Sequence, residues 1–324
     1  MINPTHLEAY TFFGLEKGPS LLVLGAIHGD ETCGSKAIKK INALMSQKVL
    51  NILSGKLTMI PTANPLAAYL KSRNGDRNLN RNFYPKLSPK DNEDHLNNIL
   101  CPIIEQHDII LDLHSFKVGS KPFALIKSIN CDHSIEVKLS NLKTKLSEKT
   151  LASWLGVHTV VGNWTDTYEK GVARRVESRG EQKDSLNFLN LDKRYGMGTT
   201  EYSRENEAIA ITLECGQHSD PKSETIAFNA ITSVLTQLKM INYDEGKIET
   251  NEIDFIRLFE VFDKNELDDY LLHSWKNFDI IAKSTEIAIR SSGEKIVANE
   301  DCTILFPNRN ANPGQEWFYL AKNL

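Results

Sequence analysis

Histidine and acidic residues stand at the ends of three apolar segments of the chain: His28, His114 and Glu214. Glu31 follows three positions after His28 in the stretch GAIHGDETCG, so an imidazole and a carboxylate can approach one ion where a strand turns into a helix. Two histidines and one carboxylate form a common catalytic zinc set that leaves the fourth position open for water. His28, Glu31 and His114 are therefore candidate ligands of one zinc ion. The same ligand types also suit another divalent ion, such as cobalt or manganese.

Each of these motifs also has an interpretation that needs no metal. An H-x-x-E pair occurs by chance in many proteins, and Asp30 and Glu31 near the start of a helix would stabilise it through the helix dipole. A histidine at the end of a strand is more commonly a hydrogen-bonded core residue than a ligand. The metal interpretation therefore depends on other residues that would complete a site.

The segments that carry these residues alternate between strand-like and helix-like patterns. Continuous apolar runs are typical of strands covered on both faces, and apolar residues at helical spacing lie between them. Predicted strands lie at 20–27, 57–61, 109–115 and 208–216, and predicted helices at 31–45, 91–107, 135–149 and 222–240. The polar regions 62–85 and 162–205 are predicted to be irregular. The alternation predicts an α/β fold with helices on both faces of a sheet, and ligands of such sheets bind beyond the carboxyl ends of the strands.

After about residue 245 the pattern changes to short strand-like runs, such as EIAIR and CTILFP, separated by polar turns. Short strand-like runs separated by polar turns are typical of a small all-β domain. We therefore predict two domains, an α/β domain at 1–243 and a C-terminal β domain at 244–324.

Composition and charge limit the partners of the chain. The 324 residues carry a net charge of −4 with both signs interspersed, so no basic face is expected to bind nucleic acid. No segment approaches the roughly 18 consecutive apolar residues of a membrane span. The first residues, MINPTHLEAY, show no export signal, and five scattered cysteines without a C-x-x-C pair indicate reduced thiols. We expect a cytoplasmic protein without membrane or nucleic-acid partners, and the sequence is compatible with a homo-oligomer.

The polar loop SRNGDRNLNRNFYP, residues 72–85, adds arginine and asparagine between the two halves of the candidate site. Four motifs then follow one another in order: G-x-x-H-G-D-E, R-x(6)-N-R, D-L-H-S and T-L-E-x-G. With them the sequence resembles the succinylglutamate desuccinylase and aspartoacylase family of the zinc carboxypeptidase superfamily. The resemblance covers roughly 20–240 and continues into 292–321, which looks like the family's C-terminal β domain. It implies a three-layer α/β/α zinc-carboxypeptidase-like domain with a central mixed sheet, followed by a small all-β domain.

The resemblance also implies a role for each matching residue. His28, Glu31 and His114 match the zinc ligands, and Glu214 matches the general base. Arg73 matches the arginine that polarises the substrate carbonyl, and Asn80 and Arg81 match the pair that grips a substrate carboxylate. Arg77 lies close by and is an alternative to Arg73.

One position departs from the family pattern. Asn78 stands where the family usually has aspartate before Leu-Asn-Arg. An amide can still form a hydrogen bond but carries no charge, and Asp76 is a candidate to replace the missing carboxylate.

The activity implied by the resemblance is zinc-dependent hydrolysis of a linear amide, with removal of an acyl group from a small, anionic N-acyl amino acid. A C-terminal domain that partly covers the cleft would restrict entry to small molecules. The alternative is a metallocarboxypeptidase that acts on peptides or cell-wall peptide fragments, because the same catalytic set serves both. A zinc-binding protein without catalysis is disfavoured by the presence of Glu214. We expect the region 162–205 to determine specificity, with at least one of its arginines facing the substrate: Arg174, Arg175, Arg179 or Arg194.

Overall fold

The computed structural model describes residues 4–119, 121–131, 133–139, 142–178, 191–243 and 252–324. Contacts between the described residues divide the chain into two units. The first unit lies within 1–126, 130–160 and 197–253, and the second within 127–129, 161–196 and 254–324. This division gives 161–196 to the second unit, whereas the predicted domains 1–243 and 244–324 stay a prediction.

The regular elements are numbered in chain order. The strands are β1 (Tyr10–Phe13), β2 (Glu16–Gly25), β3 (Ser54–Ile60), β4 (Ile109–Phe116), β5 (Phe123–Leu125), β6 (Ser134–Leu139), β7 (Leu142–Ser147), β8 (Thr159–Gly162), β9 (Ile209–Gln217), β10 (Asp254–Asp263), β11 (Tyr270–Leu271), β12 (Ile280–Ile281), β13 (Glu286–Ile289), β14 (Lys295–Val297), β15 (Cys302–Leu305) and β16 (Glu316–Asn323). The helices are α1 (Cys33–Ser46), α2 (Pro65–Leu70), α3 (Asn92–Ile104), α4 (Glu148–Ser153), α5 (Trp164–Ser178), α6 (Thr199–Glu205) and α7 (Pro221–Gln237).

The first unit contains a mixed sheet with the strand order β1-β3-β2-β4-β9-β5. The four inner strands β3, β2, β4 and β9 are parallel, whereas β1 and β5 pair antiparallel with their neighbours. All eight residues of β4 are buried, as expected of a strand with helices on both faces. The predicted α/β class with a central mixed sheet is confirmed.

Helices cover both faces of this sheet. Leu22 and Leu24 of β2 share a core cluster with Leu96 and Leu100 of α3 and with Tyr202 of α6. Residues of opposite parity in a strand point to the other face, and there α1 packs against β2 and α7 against β9, with α1 and α7 also in contact. The sheet therefore holds its polar strand ends on a rigid, two-sided core.

Three sequence-based expectations about secondary structure are wrong. The helix predicted at 135–149 is instead the antiparallel pair β6 and β7, and only α4 at its end is helical. In β6 the apolar residues Ile135, Val137 and Leu139 alternate with polar ones, which is the two-residue period of a strand. The regions 62–85 and 162–205 are not irregular throughout, because α2 lies within the first and α5 and α6 lie within the second.

The second unit supplies the additional C-terminal strands. β10, β16, β15 and β12 follow one another in an antiparallel arrangement, and β11, β13 and β14 form a separate small sheet. Its core contains Trp317, Phe318 and Ile304, all fully buried. α5 packs on β10 within the same unit. Across the described ranges, no helix combines the length and the apolar character that crossing a membrane requires.

Candidate metal centre and active site

The register of the parallel strands brings the polar strand ends of the first unit together. Leu113 of β4 lies beside Gly25 of β2, and His114 lies directly opposite Glu214 of β9. His28, Glu31 and His114 thereby offer ligand atoms that all lie within 4.8 Å of one another. The structure thus assembles the three predicted metal ligands, which are far apart in the sequence, at one edge of the sheet.

The turn between β2 and α1 sets the positions of His28 and Glu31. Ala26 has a left-handed φ of +47°, which turns the chain away from the strand direction, and its carbonyl accepts the N–H of Asn64 (3.1 Å). Gly29 is required because a Cβ at this position would lie 2.0 Å from the backbone of Ala67 in α2. The glycine between the histidine and the acidic pair therefore allows α2 to pack directly on the turn.

One carboxylate, Glu31, faces both histidines. Its Oε1 lies 2.8 Å from His28 Nδ1 and its Oε2 lies 3.0 Å from His114 Nδ1. All three side chains are only 2% exposed. The backbone N–H of Ser115 also donates to Glu31 Oε2 (3.0 Å), which fixes the carboxylate between the two rings.

The outer ring nitrogens of the two histidines have different neighbours. His28 Nε2 lies 3.0 Å from Asn78 Oδ1, and the Asn80 N–H donates to the same oxygen (2.9 Å). His114 Nε2 lies 2.9 Å from Asp112 Oδ2, but it makes no hydrogen bond of good geometry within the described chain. The first ring therefore meets a neutral amide and the second a buried carboxylate.

Charge compensation dominates the electrostatics of the cluster. Although burial opposes ionisation, His28 and His114 hold the pKa of Glu31 well below its usual 4.5. Burial and the Arg73 guanidinium lower the pKa of His28 to about 4. Although burial opposes protonation there too, Asp112 and Glu31 raise the pKa of His114 well above 6.5. The buried Glu31 carboxylate is thus balanced by the protonated His114 and the Arg73 guanidinium beside it.

The donor set fits a divalent ion. A neutral His28 that donates its Nε2–H to Asn78 presents a lone pair at Nδ1, so two acceptors, His28 Nδ1 and Glu31 Oε1, face each other at 2.8 Å. A cation between them satisfies both. Two imidazole nitrogens and a carboxylate are ligands that suit zinc, and His28, Glu31 and His114 are the residues that could hold it.

The structure distinguishes between the two candidate arginines of the loop. Arg73 donates from Nη1 to Glu31 Oε1 (3.0 Å), and its side chain is 47% exposed. Arg77 instead forms ion pairs with Asp91 (2.9 Å) and Asp94 (2.7 Å). Arg73 therefore lies at the candidate metal centre, whereas Arg77 ties the loop to the start of α3.

The loop that carries Arg73 and Arg77 is hydrogen-bonded to Glu93, a fully buried residue of α3. Its carboxylate accepts the N–H groups of three successive loop residues, at 3.1 to 3.2 Å, and the Asn64 amide (2.8 Å). The three loop donors are Gly75, Asp76 and Arg77. Asp76 itself accepts the Asn92 N–H (2.9 Å), so its carboxylate is engaged at the start of α3 and does not replace the missing aspartate at position 78.

Asn80 and Arg81 follow on the same loop. The Thr199 N–H donates to Asn80 Oδ1 (2.9 Å), and Arg81 Nη1 donates to the Asn80 carbonyl (2.8 Å). The amide nitrogen of Asn80 has no hydrogen-bond acceptor among the described residues. Since the amide oxygen is fixed by Thr199, this donor is held in one orientation.

Glu214 lies at the end of β9 with a carboxylate oxygen, Oε2, that is buried and has no hydrogen-bond partner within the described part of the chain. Burial and the nearby Glu31 charge raise the pKa of Glu214 to about 8. A carboxyl group whose pKa lies near neutrality can both accept and release a proton there.

His218 was missed as a neighbour of the centre by sequence reasoning. It can form a second ligand group with Asp30 and Glu31, and its Nδ1 lies 2.8 Å from Ser115 Oγ. It lies four positions after Glu214 and directly after the end of β9, and this proximity is the only sequence signal that could have identified it.

Three of the four arginines that were expected to face the substrate are described, and each is paired with an acidic residue: Arg174 with Glu260, Arg175 with Asp263, and Arg194 with Asp192. The Arg175 pair is buried and bidentate, at 2.8 and 2.7 Å. Arg179 lies outside the described residues. That one of these arginines faces the substrate stays a prediction.

Comparison with known proteins gives a partial match to one family model and a shared fold. Residues 17–149 match the family model of the succinylglutamate desuccinylase/aspartoacylase catalytic domain. Comparison with curated proteins gives no match. Among solved structures, a succinylglutamate desuccinylase from Vibrio parahaemolyticus is similar with a TM-score of 0.68 at 16% identity, over 98% of this chain and 92% of that one.

Two further solved structures share the fold. The succinylglutamate desuccinylase/aspartoacylase from Rhodobacter sphaeroides has a TM-score of 0.66 at 16% identity, over 98% of this chain and 90% of that one. The product-bound ectoine utilization protein EutE (DoeB) from Ruegeria pomeroyi has a TM-score of 0.64 at 18% identity, over 97% of this chain and 88% of that one. Residues 17–149 are thus similar to the succinylglutamate desuccinylase/aspartoacylase catalytic domain, and the chain shares the fold of these solved structures.

Proposed function

We propose that the protein is a zinc-dependent amidohydrolase that removes the acyl group from a small, anionic N-acyl amino acid. The observation that carries this proposal is the convergence of His28, Glu31 and His114 at one sheet edge, with Glu214 directly opposite His114. A metal-binding set beside a carboxyl group with a raised pKa is the arrangement that amide hydrolysis requires.

The ion would be held by His28 Nδ1, His114 Nδ1 and the Glu31 carboxylate. When bound, zinc supplies Lewis-acid chemistry, since it lowers the pKa of a coordinated water to about 7 and polarises a carbonyl oxygen. The protein residues bind and orient the substrate and move the protons.

Glu214 is the proposed general base. Its carboxylate takes a proton from the attacking water and later delivers it to the departing amine nitrogen. The buried, unpartnered Oε2 is available for this proton, and the raised pKa makes the protonated form accessible near neutral pH.

Arg73 is proposed to stabilise the negative charge that develops on the carbonyl oxygen of the substrate. Its guanidinium already lies beside the centre, 3.0 Å from Glu31, and is half-exposed, so a substrate can reach it. A positioned cation at such an oxygen stabilises the transition state more than the ground state.

Asn80 and Arg81 are proposed to bind the carboxylate of the substrate. The Asn80 amide nitrogen has no acceptor among the described residues, and a guanidinium beside it supplies positive charge and planar donors for a carboxylate. The similar solved structures include succinylglutamate desuccinylases, which supports an acylated amino acid as the substrate class.

We further propose a cytoplasmic location, because all five cysteines are free, as expected of reduced thiols.

The test is amine release by protein loaded with one equivalent of zinc. The panel contains N-succinyl-L-glutamate, other N-succinyl and N-acetyl amino acids, longer N-acyl amino acids, and dipeptides with free C-termini. Each preferred substrate has a matched control whose carboxylate is converted to an amide. We expect turnover of acyl amino acids only, and its loss when the carboxylate is blocked. Turnover of dipeptides alone would favour a metallocarboxypeptidase, and zinc binding without any turnover would favour a binding protein.

A further inference from the structure

Thr199 contacts both parts of the site. It is the first residue of α6 and is fully buried. It lies 119 residues beyond Asn80 and 87 residues beyond Asp112 in the sequence. No motif links these three residues, yet Thr199 forms a hydrogen bond to each of the other two.

The side chain of Thr199 contacts Asp112, the carboxylate beside the candidate metal ligand His114. Its hydroxyl donates to Asp112 Oδ2, the oxygen that lies 2.9 Å from His114 Nε2. Asp112 is completely buried, and its other oxygen has no partner within the described chain. Among the described residues, the Thr199 hydroxyl is therefore the one side-chain hydrogen-bond donor to the Asp112 carboxylate. Such partners of a ligand histidine set the direction of its ring.

The backbone of Thr199 contacts Asn80, which is proposed to bind the substrate carboxylate. Its N–H donates to Asn80 Oδ1 (2.9 Å), and this fixes the amide so that Nδ2 remains available. Gly198 permits the approach, since a Cβ there would lie 2.2 Å from the same oxygen. The Asn80 backbone in turn donates to Asn78 Oδ1, which faces His28 (3.0 Å).

We propose that Thr199 is a positioning residue that holds the metal-ligand partner Asp112 with its hydroxyl and the substrate-binding amide of Asn80 with its N–H. The residue thereby couples the geometry of the metal ligands to that of the substrate-binding loop. The metal half of this inference needs only the candidate ligand set, whereas the substrate half rests on the proposed function.

The two halves can be separated by substitutions at this one position. T199V removes the hydroxyl at nearly constant volume and keeps the N–H. T199S keeps both groups and is the matched control. T199P removes the N–H as well, and proline is tolerated at the first position of a helix. The preceding Gly198, with φ −108° and ψ −167°, is extended, which is the conformation favoured before proline.

Zinc affinity, measured by competition with a chromogenic chelator, is the first readout. We expect T199V to bind zinc about 10-fold more weakly than the wild type, with T199S close to the wild type. Thermal unfolding shows whether each variant is folded. A folded T199V with wild-type zinc affinity would overturn the metal half of the proposal.

The second readout is KM at saturating zinc for the best acyl amino acid. T199V removes only a long contact of the hydroxyl with Asn80 Oδ1 (3.4 Å), whereas T199P also removes the N–H that donates to this oxygen at 2.9 Å. We therefore expect T199V to change KM little and T199P to raise it at least several-fold. Equal KM values for a folded T199P and T199V would overturn the substrate half. If the wild type hydrolyses nothing, the proposed function fails, and the zinc affinities still decide whether the Thr199 hydroxyl positions the ligand partner.

Discussion

His28 Nε2 lies 3.0 Å from Asn78 Oδ1, so this candidate ligand meets a neutral amide at the position where the family pattern has aspartate. The amide oxygen accepts the ring N–H and thereby directs Nδ1 toward Glu31. It adds no negative charge to the ring, however, and a carboxylate at this point makes a histidine a more basic ligand.

Replacing Asn78 by aspartate should therefore strengthen metal binding. N78D keeps an oxygen for both His28 and the Asn80 N–H and adds the charge. We expect zinc affinity to rise about 10-fold in N78D and to fall by a similar factor in N78A, which has no acceptor. Chelator competition measures both. Equal affinities for all three proteins would show that Asn78 does not act on His28.

The E214Q variant tests the general base. Glutamine has the same shape but cannot accept a proton, so metal content should remain at one zinc per chain while kcat falls about 100- to 10,000-fold. Metal analysis and amine release on the same preparation provide the two values. H114A is the control for metal analysis: it removes a candidate ligand, so its zinc content should fall. Turnover of E214Q within tenfold of the wild type would remove Glu214 from the proposed role.

Substitution of Arg73 should impair the chemical step and leave the fold intact. R73M removes the guanidinium beside Glu31, and loss of one such donor typically costs about 2.7–4 kcal/mol of transition-state stabilisation, or roughly 100- to 1,000-fold in kcat. R77M is the comparison on the same loop. Because Arg77 pairs with Asp91 and Asp94, we expect R77M to lower the Tm more than R73M does. The opposite order in Tm would contradict the separate roles of the two arginines.

A histidine remote from the site should make stability depend on pH. His107 is buried and donates from Nδ1 to the Ile103 carbonyl (2.7 Å), while its Nε2 accepts from Thr58 (2.9 Å). Burial lowers the pKa of His107 from 6.5 to about 4. Between these values the unfolded chain binds the proton and the folded chain does not, so the free energy of unfolding falls as the pH drops.

The expected loss from His107 is about 2 kcal/mol between pH 7 and pH 5. Urea unfolding at the two pH values measures it, and H107Q, which cannot be protonated, isolates the contribution of this residue. The stability of H107Q should change less than that of the wild type over this interval. Parallel pH dependence of the two proteins would contradict the assignment.

The sequence predicts the sheet well because the signal for its strands is local. The predicted bounds of β4 and β9 agree with the structure to within one residue, and those of β2 to within four. The helix predicted over β6 and β7 is wrong because each strand has only six residues, so the two-residue alternation of β6 extends over too few positions to exclude a helix. Spacing alone left Arg73 and Arg77 as alternatives, since only the acidic partners at the start of α3 separate them. Thr199 carries no local signal, because its contacts depend on how α6 packs against distant segments.

Glu93 has a consequence for the kinetics of substrate binding. It accepts the backbone N–H groups of Gly75, Asp76 and Arg77, so the loop that carries Arg73 and Asn80 is already in one conformation before the substrate arrives. Ordering a backbone residue costs roughly 1–2 kcal/mol of conformational entropy, and for these three residues that cost is met during folding. Association therefore need not wait for this loop to become ordered, and the binding free energy of a small anion is not reduced by ordering it.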